Sequence, residues 1–210
     1  MGKQLALDLR EFTPLPVDNS ASPNHYSKDL KHILIPKTWI CSQVARLSLE
    51  ISENYRHLGP DDKPVAICLL EGARTFFDDL VARLSVDVDK LYWKVGSYEG
   101  TESTGKVSLG DVDLSVVEGR KVLVVDDIAD TRRTLKHVRD ALLQHNPFRV
   151  EVACLLDKPD RRLEQDLELD YCGFTIPNQF VVGYGLDFNG RYRDLNCIGV
   201  LKEEVYQRKS

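Results

Sequence analysis

The stretch Val122-Leu-Val-Val-Asp-Asp-Ile-Ala-Asp-Thr-Arg-Arg-Thr134 concentrates the side chains best suited to chemistry. Four apolar residues of strand character end in two adjacent carboxylates, Asp126 and Asp127. In open α/β sheets, ligands bind just beyond the carboxyl ends of the strands. Carboxylates there suit hydrogen bonds from ribose hydroxyls, or a Mg²⁺ held through water. Thr131, Arg132, Arg133 and Thr134 then offer two hydroxyls and two guanidinium groups at the entry to a predicted helix. Free backbone N–H groups at a helix N-terminus bind anions, so a phosphate belongs in this turn. Asp130 stands between the sugar and phosphate positions, placed to handle a proton.

The same residues admit plainer readings. An apolar strand with paired acids can simply turn those acids to water, and a phosphorelay receiver domain also begins this way. Asp157, closing the apolar run 152–156, would imitate a phosphoacceptor. From Val122 onward, however, the chain is too short for a complete receiver, and the 121 residues before it would go unexplained. The Asp-Thr-x-x-Thr continuation from Asp130 separates the stretch from a merely solvated strand edge.

Holding such groups in place takes a sheet. The continuous apolar run at 65–70 suits a strand buried on both faces, 91–95, 121–125 and 150–156 predict further strands, and 180–182 and 197–201 are strand-like. Ile40, Val44, Leu47, Ile51 and Tyr55 recur at steps of three and four, which is one helix face, and Gly59-Pro60 stops it. Phe76, Leu80 and Leu84, with Phe77 and Val81 beside them, form a second stripe, and residues 134–144 a third. Strands alternating with amphipathic helices predict an α/β fold with a mainly parallel sheet of about five strands. Residues 10–30 read as an irregular lead-in, 157–170 as a charged loop, and 96–110 as a glycine-rich lid without periodicity.

Composition narrows the classes further. At 42% hydrophobic and 29% charged residues the 210-residue chain is globular, with room for one domain plus a subdomain. A net charge of −5 argues against a nucleic-acid binder, which needs a basic surplus. The five cysteines form no CxxC pair, and Cys68 and Cys154 sit in apolar runs, so all are read as reduced and structural. With no signal-peptide pattern and no apolar run long enough to span a bilayer, no membrane partner is expected and the chain is placed in the cytoplasm.

Residues 122–134 resemble the 5-phosphoribosyl pyrophosphate (PRPP) motif of the type I phosphoribosyltransferases: four apolar residues, two acids, then Asp-Thr-Gly-x-Thr. Further blocks narrow the likeness to the hypoxanthine-guanine phosphoribosyltransferases. Leu70-Glu-Gly-Ala with Thr75-Phe-Phe-Asp-Asp-Leu80 is similar to that family's pyrophosphate loop and helix. Ser97-Tyr98 and Ser103-Thr-Gly105 are similar to its lid. Phe180-Val-Val-Gly-Tyr-Gly-Leu-Asp-Phe-Asn189 and Tyr192-Arg-Asp-Leu-Asn196 are similar to its purine-binding and C-terminal segments.

The resemblance implies a single domain over 1–210, its core at about 38–180 and a hood from about 1–37 and 181–210. It implies transfer of phosphoribose from PRPP to hypoxanthine or guanine with Mg²⁺, in a homodimer or homotetramer. Asp126 and Asp127 would take the ribose hydroxyls and Asp130 would be the general base. Thr131, Arg132, Arg133 and Thr134 would cradle the 5′-phosphate. Glu71, Gly72 and Arg193 would meet pyrophosphate under a lid carrying Ser97 and Tyr98. Lys158 would donate to the purine 6-oxygen, Phe180 would stack on the base, and main-chain groups of Val181 and Asp187 would read its edge. The Asp187 carboxylate would also help place Mg²⁺.

Taken singly, Lys158 also reads as a solvated charge, Phe180 as core, and Arg193 with Asp194 as a surface ion pair. Two residues depart from the family's pattern. Arg132 stands where the motif has Gly, and Glu71 where the loop has Lys. Arg132 is expected to keep its side chain clear of the phosphate, pointing outward or adding charge to the site. Glu71 is expected to face away from pyrophosphate or bind metal. The alternative function is a non-catalytic PRPP- or nucleotide-binding regulator on the same fold, which would have no need of the base Asp130.

Overall fold

The computed structural model describes residues 6–17, 26–59, 62–97, 107–109, 112–164 and 166–207. Its strands are β1 Leu7–Asp8, β2 Leu30–Ile35, β3 Val65–Leu70, β4 Asp89–Ser97, β5 Val107–Leu109, β6 Lys121–Ala129, β7 Arg149–Asp157, β8 Tyr171–Thr175, β9 Val181–Val182 and β10 Ile198–Leu201. Its helices are α1 Lys37–Tyr55, α2 Arg74–Val81, α3 Arg133–Leu143 and the single turn α4 Glu203–Tyr206.

A strand made wholly of apolar residues needs cover on both faces, and alternation sends its side chains two ways. Ala66, Cys68, Leu123, Val125, Ala153 and Leu155 point into one core with the α1 stripe Ile40, Val44, Leu47, Ile51 and Tyr55 and with Phe76, Phe77 and Leu80 of α2. Val65, Ile67, Val122, Val124, Val152 and Cys154 point into a second core with Leu135, Val138 and Leu142 of α3. The helix faces read from the sequence are therefore the ones buried. Leu84 lies past the end of α2 and packs only at the margin of the first core.

Among the described residues the main sheet has seven strands in the order β1-β8-β7-β6-β3-β4-β5. All neighbours run parallel except β4 and β5. From β3 the chain crosses to β4 on one side, and from β6 it crosses to β7 on the other. The order thus reverses between β3 and β6, which opens a crevice beyond their carboxyl ends. A second sheet, β2-β10-β9, is antiparallel and joins residues 30–35 to the last part of the chain.

The structure corrects the sequence reading at several elements. β6 does not end at Val125. It stays paired with β7 as far as Ala129, opposite Asp157, whereas its pairing with β3 stops at Val125 opposite Cys68. β8 lies in a segment that lacked a strand signal, because Gly173 interrupts its five residues. A side chain at Gly173 would meet the Leu155 backbone at 2.7 Å, so glycine is needed for that close approach. β5 occupies the end of the expected lid, and Ser97 belongs to β4. Tyr98 and the Ser103-Thr-Gly105 block lie outside the described residues.

Candidate active site

The loop after β6 and the loop after β3 face each other across this crevice. On the β3 side the ladder has already opened at Asp126 and Asp127, so their carboxylates turn into the gap. The Asp127 N–H donates to Asp126 Oδ1 at 3.0 Å. Burial first, and the neighbouring Asp127 charge second, push the Asp126 carboxyl well above its ordinary value of 3.8, and burial raises Asp127 too. Such a pair favours a site that brings hydroxyl donors or a cation. Gly72 touches it from the β3 side, where any Cβ would overlap the Asp127 carboxylate.

These groups line a cavity of about 220 Å³ whose wall also includes Asp130, Thr131, Arg132 and Thr134, but not the exposed Arg133. A larger cavity of about 500 Å³ adjoins it, lined by Lys158, Phe180, Val181, Leu186 and Arg161 among others. The two share Ile128 and Asp130. One polar cavity and one part-aromatic cavity thus meet at a single carboxylate.

Lys158 is 7% exposed and its N–H donates to the Ala129 carbonyl at 3.0 Å, so it is no solvated loop charge. Burial lowers the pKa of its ammonium, against the pull of Asp130 with its carboxylate 3.9 Å away. Phe180 is 37% exposed at the cavity wall, not core. Arg193 lies 2.8 Å from Asp187 and donates to the Gly185 carbonyl at 2.9 Å, which ties it to the loop that carries Asp187. Asp187 in turn accepts from the Gly190 N–H at 2.8 Å.

Residues 38–189 match the family model described as the phosphoribosyl transferase domain. The chain belongs to the phosphoribosyltransferase family. It is 38% identical over 178 residues to the hypoxanthine-guanine-xanthine phosphoribosyltransferase of Tritrichomonas foetus, covering 85% of this chain and 95% of that protein. It is 38% identical over 183 residues to the hypoxanthine-guanine phosphoribosyltransferase of Streptococcus thermophilus, covering 86% and 98%. A crystal structure of a hypoxanthine phosphoribosyltransferase from Staphylococcus aureus superposes with a TM-score of 0.78 at 35% identity, covering 87% of this chain and 99% of that one.

Against the family's pattern, the two departures in this phosphoribosyltransferase are accommodated differently. Arg132 takes the left-handed backbone conformation, φ 65° and ψ 1°, that the usual glycine would supply. Its guanidinium points neither outward nor at the phosphate turn. It lies buried, donating to Asp157 Oδ1 at 2.9 Å and to the Leu167 carbonyl, while Arg162 holds the other Asp157 oxygen at 2.9 Å. Arg132 still contributes to the wall of the smaller cavity. Glu71 lies 3.5 Å from Lys94 of β4 and 3.9 Å from Arg193.

The sequence reading missed Arg161, whose Nε donates to Asp130 Oδ1 at 2.8 Å. It sits in a 3-10 turn over Pro159–Arg161. Its spacing of three from Lys158 in a proline-led turn was the available signal. It missed Lys94 as well, which only strand pairing brings opposite Leu70 beside the loop.

Proposed function

We propose that this phosphoribosyltransferase joins the 5-phosphoribosyl group of PRPP to hypoxanthine or guanine, giving IMP or GMP and pyrophosphate. The observation that carries the reading is the meeting of the two cavities at Asp130. A base in the larger cavity and a ribose phosphate in the smaller one would form their bond beside that carboxylate. The relatives named for hypoxanthine-guanine transfer, matched along nearly their whole length, support the same substrates.

In the reaction the anomeric C–O bond to pyrophosphate breaks and a C–N bond to the purine forms. Asp130 takes the proton that the purine nitrogen loses, a transfer that typically contributes about 10²–10⁴-fold. The N-terminus of α3 with Thr131 and Thr134 holds the 5′-phosphate, and Asp126 and Asp127 accept from the ribose hydroxyls. Lys158 donates to the 6-oxygen, which selects oxopurines over adenine because adenine presents a donor there. Phe180 stacks on the base, and the backbone of Val181 and Asp187 reads its edge. Gly72 and Arg193 meet pyrophosphate.

Among the described residues no group of three or more His, Cys, Asp or Glu is arranged to hold a metal. The raised Asp126–Asp127 pair still suits Mg²⁺ bound through water, with the remaining ligands from the diphosphate. Bound there, Mg²⁺ supplies neutralisation of the diphosphate charge. Asp187 would have to leave Arg193 to join it. The second sheet acts as a hood over the purine. Burial pushes the Cys68 and Cys172 thiols up to about 12, which keeps them protonated and unreactive; the family likeness supports a cytoplasmic setting and a homodimer or homotetramer.

Incubation with PRPP, Mg²⁺ and each of hypoxanthine, guanine, xanthine and adenine, followed by absorbance, tests the reading. Nucleotide should form with the first two and not with adenine. Nucleotide binding without turnover on any base would make the protein a regulator instead.

A further inference from the structure

One face of the Phe180 ring is already covered. Tyr206, at the end of α4, lies nearly parallel to Phe180, with ring centroids 4.8 Å apart and an angle of 15°. Phe188 approaches edge-on at 5.5 Å and 87°. Phe180 nonetheless stays 37% exposed. The cavity it shares with Tyr206, Ile128 and Leu186 keeps about 500 Å³, inside the range of about 300–1,000 Å³ that holds small ligands. Tyr206 therefore backs the ring at the wall of a cavity that still has room for a base.

α4 is also tied to the backbone that carries Phe180. The Leu201 N–H donates to the Phe180 carbonyl at 2.9 Å, and the Lys202 N–H to the Asp29 carbonyl at 3.0 Å. Val205 and Tyr206 pack against the small core of Leu30, Val182, Tyr192, Leu195 and Leu201. The chain end thus reaches the purine cavity on a short, pinned turn.

We propose that Tyr206 is a positioning residue for purine binding: it holds Phe180 in one rotamer, so that base, Phe180 and Tyr206 form a continuous stack. The inference rests on the reading of Phe180 as the base platform. A preset ring loses less freedom when the base arrives, and the gain falls on purine affinity rather than on the chemical step. Tyr206 lines the larger cavity and not the smaller one that holds Asp126, Asp127 and Thr131.

Kinetics on the full chain test this, with hypoxanthine varied at saturating PRPP and IMP binding measured by calorimetry. Tyr206→Ala should raise the hypoxanthine KM and the IMP Kd by about three- to ten-fold. It should leave kcat and the PRPP KM within about twofold, and Tyr206→Phe should behave as the parent. Tyr206→Leu keeps bulk against the small core, and should show the same KM rise even if the alanine variant folds poorly. An unchanged or lowered KM in a folded variant, or equal losses in kcat and PRPP KM, would overturn the proposal. Phe180→Ala in the same assay separates the two ideas. If it leaves KM unchanged, the platform reading itself fails; if it raises KM while Tyr206→Leu does not, only the role of Tyr206 fails.

Discussion

Asp130 is held by one full guanidinium contact, Arg161 at 2.8 Å, and one distant ammonium, Lys158 at 3.9 Å. Arg161 fixes this carboxylate through one oxygen and leaves the other turned toward Lys158, an arrangement that suits the proposed role of base. Asp130→Asn keeps the shape and removes the proton acceptor, so kcat should fall by about 10²–10⁴-fold while IMP binding by calorimetry changes little. Equal turnover would remove Asp130 from the base role. Asp126 yields a stability prediction. Its folded pKa lies above 3.8, so over the window from there up to the raised value the native state keeps a proton that the unfolded chain has released. Stability contributed by this group therefore falls as pH rises through the window and is lowest above it. Asp126→Asn should flatten that slope and stabilise the free protein at neutral pH by roughly 0.5–2 kcal/mol, read from urea melts across pH, while weakening PRPP binding.

The phosphate turn shows how an element tolerates the wrong residue at a demanding position. A non-glycine residue in the left-handed conformation costs about 1–2 kcal/mol. At Arg132 that cost is offset by a buried ion pair to Asp157, at the end of the neighbouring strand β7. Arg132→Gly would relieve the backbone but leave Asp157 with Arg162 alone, so the net effect should be destabilising by about 1–3 kcal/mol in thermal or urea unfolding. If the proposed anion site is made of backbone N–H groups and the two threonines, IMP affinity should shift by less than about threefold. A large loss of affinity would show that the guanidinium serves the phosphate after all. β6 carries a related lesson. The acids at 126 and 127 read as the end of the strand, yet the strand carrying them continues to Ala129, because only its β3 edge is released.

Across the whole molecule, the reversal of strand order between β3 and β6 gathers loops from distant parts of the chain around one crevice. The sharpest prediction at this scale is positional: a crystal grown with IMP should carry the phosphoryl group at residues 131–134 and the base in the cavity of Lys158 and Phe180. A phosphoryl group elsewhere would sink the assignment. The apolar strand ending in paired acids, the turn into the next helix and the α/β alternation were readable from the amino acids alone. Residues 122–134 lie consecutively along one strand, turn and helix, so local geometry fixes how they face. Apolar periodicity likewise determined which side of α1, α2 and α3 is buried. Tertiary structure alone decided the pairs Asp130–Arg161, Arg132–Asp157, Glu71–Lys94 and Phe180–Tyr206. Each joins segments that meet only when strands pair or the chain end folds back. The direction of a charged or aromatic side chain at such a meeting is set by packing, not by its neighbours in sequence.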